Sequence, residues 1–185
     1  MPAAAAYTGA VTEPRTDPPL DAAERARTAG EAQVLAAFLD YQRRALRHKI
    51  DGVSEQDARR RLVPSLTTLG GLLRHLAAVE RVWFQRVLAG RPADAIQGSA
   101  TGGDESWQIP ADMTVAGLLA EYDEACEQSR RIAAGRSLED TGAHRRLGDV
   151  SLRWIYVHMI EETARHAGHA DILREQIDGT TGDAF

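Results

Sequence analysis

SLRWIYVHMIEETARHAGHADILREQIDGTTG, residues 151–182, carries a helical period over most of its length. Read at alternating steps of three and four, the spacing of a core seam, it gives Leu152, Ile155, Met159, Glu162, His166, His169, Leu173 and Ile177. The seam is apolar at both ends and ionisable in the middle. At about 100° per residue, Glu162, His166 and His169 fall within an arc of about 60°, whereas solvated charges belong on the opposite face. The pattern predicts a helix from near Ser151 to about Ile177, stopped at Asp178-Gly179.

An isolated carboxylate in a core is costly unless it is paired, protonated or bound to a metal. A divalent ion compensates Glu162 and takes neutral imidazole as a ligand. Glu162 and His166 are one turn apart, about 6 Å along the axis, so both can reach one ion. Glu162 and His169 are separated by about 10.5 Å of rise, which suits His169 to orienting a ligand or facing a substrate. A His166–His169 ligand pair stays open, and His158, four residues before Glu162, competes as a ligand. The third ligand should come from another helix, and His75 is the best candidate because Leu72, His75 and Val79 keep core spacing. His48 lies near a helix end and His144 in a loop. The rival reading is a metal-free polar core in which Glu162 pairs with Arg74 or a charged histidine. There is no H-E-x-x-H for a zinc protease and no repeated E-x-x-H for a di-iron bundle.

The rest of the chain supplies partners for that helix. Residues 1–27 are rich in Ala, Pro and Thr without a helical period and are expected to be a disordered tail. Thr28 and Glu31 have the spacing of a capping box, and Val34, Leu35, Phe38, Leu39, Ala45 and Leu46 give the first helix an apolar face. Asp51-Gly52 stops it, and Ser54 with Asp57 caps a short turn. A second helix is expected over 66–88 behind Ser65. Its rows include Leu66, Leu69, Leu73, Leu76, Trp83 and Val87, with His75 on the adjacent one. The polar, Gly-rich stretch GRPADAIQGSATGGDESWQIPAD reads as a crossover that makes helices two and three parallel. The third helix spans about 114–134 and uses Cys126 as a small core residue. The expectation is an all-α four-helix bundle over residues 28–182.

Composition narrows the function classes. The chain has 185 residues and a formal net charge of −5, a poor match to nucleic acid. Its one cysteine excludes an internal disulfide framework and suits a reducing cytoplasm. No apolar run approaches the roughly 20 residues that span a bilayer, and the N-terminal stretch lacks the order of a signal peptide.

TTLGGLLRHLAAVERVWF (67–84) and the 151–182 segment together resemble the DinB-like superfamily, most closely an actinobacterial mini-circle-protein branch of unknown function. The resemblance covers about residues 30–182. It implies a four-helix bundle of up-down-down-up topology, in agreement with the crossover, and a possible homodimer whose interface it does not locate. The superfamily's usual metal triad, one His on helix two and an H-x-x-x-H pair on the last helix, maps onto His75, Glu162 and His166. Glu162 departs from the commonest pattern. Similar sequences related to mycothiol-dependent maleylpyruvate isomerase carry Glu there, so the departure does not abolish the site. Two imidazoles and a carboxylate suit zinc or nickel.

Characterised relatives, among them thiol-dependent S-transferases and isomerases using bacillithiol or mycothiol, imply a metal-held thiolate that attacks an electrophilic carbon. Arg74 and Arg165, each preceding a proposed ligand, are then candidates to bind anionic groups of the thiol cofactor, against a surface or salt-bridge role. His169 is the candidate catalytic residue, moving a proton or orienting a ligand. Trp107 is a candidate pocket wall, and so is Trp83, although it also fits the core row. Two function classes follow: a metal-dependent enzyme acting on a small thiol and an electrophile, or a non-catalytic metal- or ligand-binding stress or regulatory bundle.

Overall fold

The computed structural model describes residues 20–182, so most of the expected 1–27 tail lies outside the described residues. Its last part is described. Helix α1, Ala22–Arg25, is a single turn under a capping box between Asp21 and Glu24. Helix α2, Glu31–His48, begins behind Gly30 rather than at Thr28, with no side-chain cap. The Glu31 carboxylate is engaged elsewhere, accepting from Arg153 Nε at 2.8 Å and so tying the start of α2 to the last helix. Phe38, read on the apolar face, is 44% exposed. Helix α3, Glu55–Ala58, is capped by Ser54, as the Ser54/Asp57 spacing predicts.

Helix α4, Leu69–Glu80, starts later than the sequence suggests. Its cap is Thr68, whose hydroxyl accepts from the Gly71 amide at 3.0 Å. Ser65 is bound into the preceding turn, where Arg61 donates to the Pro64 and Ser65 carbonyls, and Leu66 is left exposed outside the helix. The chain then continues as a π-helix, Arg81–Leu88, whose wider winding is visible where the Ala89 amide donates to the Phe84 carbonyl at 3.0 Å. The connection to α5 is not structureless. It contains two 3₁₀ turns, Ala93–Ala95 and Asp104–Trp107, and buries Ile96, Ala100 and Ser106. Helix α5 is Val115–Ala134, capped by Thr114.

The fold is mostly helical, as expected, but it carries a β-hairpin, which corrects the loop reading of His144. Strands β1, Thr141–His144, and β2, Gly148–Ser151, pair antiparallel, with His144 opposite Gly148 across a three-residue turn. Gly148 closes the turn at φ 75°, in the left-handed region that glycine favours. At Gly142 the strand lies against the end of the π-helix so closely that a Cβ would stand 2.2 Å from the Val87 carbonyl oxygen. Helix α6, Leu152–Asp178, follows at once, capped by Ser151 and ended by Gly179 at φ 78°.

Among the described residues the protein is therefore mostly helical with one small hairpin. Helix α6 packs on α2, and α4 packs on α5 and on α6. One apolar cluster joins Leu46, Leu72, Leu76, Leu118, Tyr122 and Leu173. A second joins Leu39, Phe84, Leu138, Ile155 and Met159 under the hairpin. A buried ion pair ties α2 to α4: Arg43 donates to Glu80 Oε1 at 2.8 Å and to Oε2 at 2.6 Å. Among the described residues no helix is long and apolar enough to cross a membrane.

Candidate metal centre

The ionisable part of the α6 seam faces α4. Single ligand-type atoms of His75, Glu162 and His166 lie within 4.8 Å of one another. Glu162 Oε1 is 3.3 Å from His75 Nε2 and 3.2 Å from His166 Nε2. Two donors bound at about 2.0–2.2 Å to a common ion stand roughly 2.9–3.5 Å apart across the usual coordination angles, so both spacings fit a shared divalent ion. The three side chains are 13%, 19% and 9% exposed, which leaves a narrow approach from solvent.

Proton accounting strengthens that fit. Ser106 is fully buried, and its hydroxyl donates to the Gly103 carbonyl at 2.7 Å. With its one proton used there, Ser106 Oγ accepts from His75 Nδ1–H at 2.9 Å. A neutral His75 then has a bare Nε2, and that lone pair faces the Glu162 carboxylate. On the other side, His166 Nδ1 is 3.3 Å from His169 Nδ1 while its Nε2 faces the same Glu162 oxygen. The bare His75 Nε2 repels the carboxylate it faces, so positive charge belongs between them, either as an added proton on the imidazole or as a metal ion. With both imidazoles protonated towards Glu162, hydrogen bonding from His166 first, and then from His75, holds its carboxyl well below the usual carboxylate range.

The supports come from the connection before α5. Trp107 lies parallel to His75, ring centroids 4.1 Å apart, and meets His166 edge-on at 5.4 Å. Trp107 thus walls the site, as the sequence suggests. Ser106 was not legible: nothing local in DESW marks its serine as a histidine's partner.

The other candidates fall around this centre. His169 is exposed beside His166, its rings 5.3 Å apart, and partial burial, then the neighbouring His166, pushes its imidazole below the ordinary pKa. His158 does not join the triad and stacks on Trp154 instead, with centroids 5.0 Å apart. His48 sits at the end of α2, 3.9 Å from Asp51. Arg165 is exposed and paired with Glu161. Arg74 lines a cavity of about 690 Å³ with Arg81, Arg91 and Glu121, and none of the triad lines that cavity. Its Nε is buried without a hydrogen-bond partner.

A protein-family model described as MST, mycothiol-S-transferase, matches residues 34–179. That span takes in all three residues of the triad and everything packed against them. A comparison with curated proteins finds no match.

Proposed function

Because the chain belongs to the mycothiol-S-transferase family, within the DinB-like superfamily, we propose that it is a divalent-metal-dependent enzyme joining a small mycothiol-type thiol to an electrophile. The observation that carries this reading is the convergence of His75 Nε2 and His166 Nε2 on one oxygen of Glu162. His75, Glu162 and His166 would hold the ion, zinc or nickel by their donor set. A bound ion supplies Lewis acidity, which lets the cofactor thiol exist as thiolate near neutral pH.

The chain's own residues do the rest. Ser106 and Trp107 fix the tautomer and plane of His75, so Nε2 stays bare and aimed inward. His169, lowered in pKa and open to solvent, accepts the proton that the thiol gives up. The sulfur forms a bond to the electrophilic carbon, and the leaving group departs with the electron pair of the bond it loses. Arg165 stands at the rim one residue before His166 and would meet an anionic group of the thiol. Arg74 would do so only from the cavity on its own side of α4.

The same reading takes α2, α4 with its π-helical extension, α5 and α6 as an up-down-down-up four-helix bundle over residues 28–182. The pairing of α2 with α6 and of α4 with α5 supports it. It also takes the protein as cytoplasmic and as a homodimer.

A second reading, a non-catalytic metal-binding protein, draws on the small opening above the triad and on the large cavity's position away from it. Elemental analysis of untagged protein purified without added metal is the first test. A stoichiometric ion is expected, and it is lost in the His75→Ala/His166→Ala double variant. If that variant carries the same ion as wild type, the site is wrong. Consumption of mycothiol with a panel of electrophiles then separates the two readings. Bound metal without turnover across the panel favours the binding protein.

A further inference from the structure

The rows that lead to the triad on α6 continue outward into an assembly of flat rings. Trp154, His158, Glu162 and His166 recur every four residues, so each stands about 6 Å further along α6 than the last, turned by about 40°. His158 stacks on Trp154 at 5.0 Å and 14°. Trp83, from the π-helix, meets His158 edge-on at 4.7 Å and Trp154 at 5.1 Å. On the far side His144, from the hairpin, lies over Trp83 at 5.0 Å and 17°.

The hairpin turn fixes that outer ring. The Arg146 and Leu147 amides donate to His144 Nδ1 at 3.3 and 3.2 Å. His144 Nδ1 is thus an acceptor. Burial lowers the pKa of His158. Exposed apolar side chains stand on the same two elements, with Trp154 41%, Leu147 44% and Val157 55% exposed, while Glu161 and Arg165 lie near enough to act on the charge of His158. Core packing accounts for Trp83, which is buried, but not for an exposed tryptophan stacked on a histidine about two helical turns before Glu162.

We propose that the shelf of Trp83, His144, Trp154 and His158 receives the electrophilic substrate, and that this substrate carries a flat, apolar aromatic group. The proposal rests on the transferase reading for the identity of the occupant. It is argued from the shelf's continuity with the triad, one helical turn from His158 to Glu162, and from the lack of a fixed charge among its rings. A ring laid against Trp154 would bring its reactive carbon towards the coordination site, where the thiol sulfur is delivered. Stacking against an indole contributes about 0.5–1.5 kcal/mol beyond area burial, or about tenfold in affinity at the upper end.

The test uses full-length, metal-loaded protein with mycothiol and two electrophiles, the aromatic 1-chloro-2,4-dinitrobenzene and the aliphatic iodoacetamide. The ratio of kcat/KM for the aromatic over the aliphatic electrophile is expected to fall about tenfold in Trp154→Ala and to return largely in Trp154→Phe. Equilibrium dialysis with unreactive 2,4-dinitroaniline reads the shelf without any catalysis. Saturable binding weakened about tenfold by Trp154→Ala is expected. Turnover with an unchanged selectivity ratio overturns the shelf and leaves the transferase reading standing. Dialysis binding without turnover of either electrophile keeps the shelf and removes the transferase. If dinitroaniline does not bind and Trp154→Ala instead converts a dimer to a monomer in sedimentation, the rings are an interface between copies and the proposal falls.

Discussion

Two carboxylates of this fold, Glu80 and Glu162, are compensated in opposite ways. Glu80 is 1% exposed and gives both oxygens to Arg43, a cation at every accessible pH, whose NH1 also reaches Asp40. Glu162 gives one oxygen to two imidazoles and keeps 19% of its side chain open. A guanidinium closes a site, because its fork geometry uses both oxygens and its charge never leaves. Imidazoles leave a site open, because without a proton they neutralise nothing and offer lone pairs instead. The first cluster is a fastening between α2 and α4. The second can exchange protons or bind an ion.

The largest expected effect is on the fastening. Glu80→Ala leaves a buried guanidinium without its partner and should cost about 3–5 kcal/mol in urea unfolding. Glu162→Gln keeps the shape of a partly open side chain. It should abolish metal binding while costing the metal-free protein less than Glu80→Ala does. If the two variants are equally destabilised, the contrast fails. The next effect is on acid stability of the metal-free protein. The folded Glu162 carboxyl is depressed, so its contribution is fully present above the unfolded pKa of about 4.3 and is lost as pH falls below it. In His75→Ala/His166→Ala that part of the acid slope should flatten, and an unchanged slope would show that the imidazoles do not hold the carboxylate.

A third measurement probes the closed side. Burial, and after it the charge of Glu80, pushes the Cys126 thiol up. Native protein should therefore resist thiol alkylation, which should proceed only as fast as the chain opens. Prompt labelling would mean that the Glu80 side is no more closed than the triad. The smallest effect belongs to Arg165. Its exposed pairing with Glu161 should be worth no more than about 0.5 kcal/mol. Arg165→Ala should raise KM for the thiol about two- to fivefold if the guanidinium meets an anionic group.

What was legible in the sequence was whatever repeats along one element. The α6 seam showed itself because Glu162 and His166 interrupt an apolar period, and His75 because it sits on core spacing in α4. The same periodicity could not show the π winding of Arg81–Leu88, since one wider turn barely alters the apolar rows. It misplaced the cap of α4, because Ser65 and Thr68 are equally good caps until Arg61 binds the turn around Ser65. The hairpin escaped although LGD offers a left-handed glycine four residues after His144. Its strands are four residues each, too short for alternation to stand out. Ser106 escaped because its partner lies 31 positions away in the chain. Contacts across elements leave no local trace.

Gly142 gives the hairpin its meaning. The space beside the Val87 carbonyl admits a hydrogen atom and nothing larger. No other amino acid fits at that position while β1 stays where it is, and His144 is two residues further along the same strand. One absent methyl group is thus the difference between a wall and a flap beside the rings. Variation elsewhere in the hairpin would reshape that wall, whereas variation at residue 142 would unhinge it.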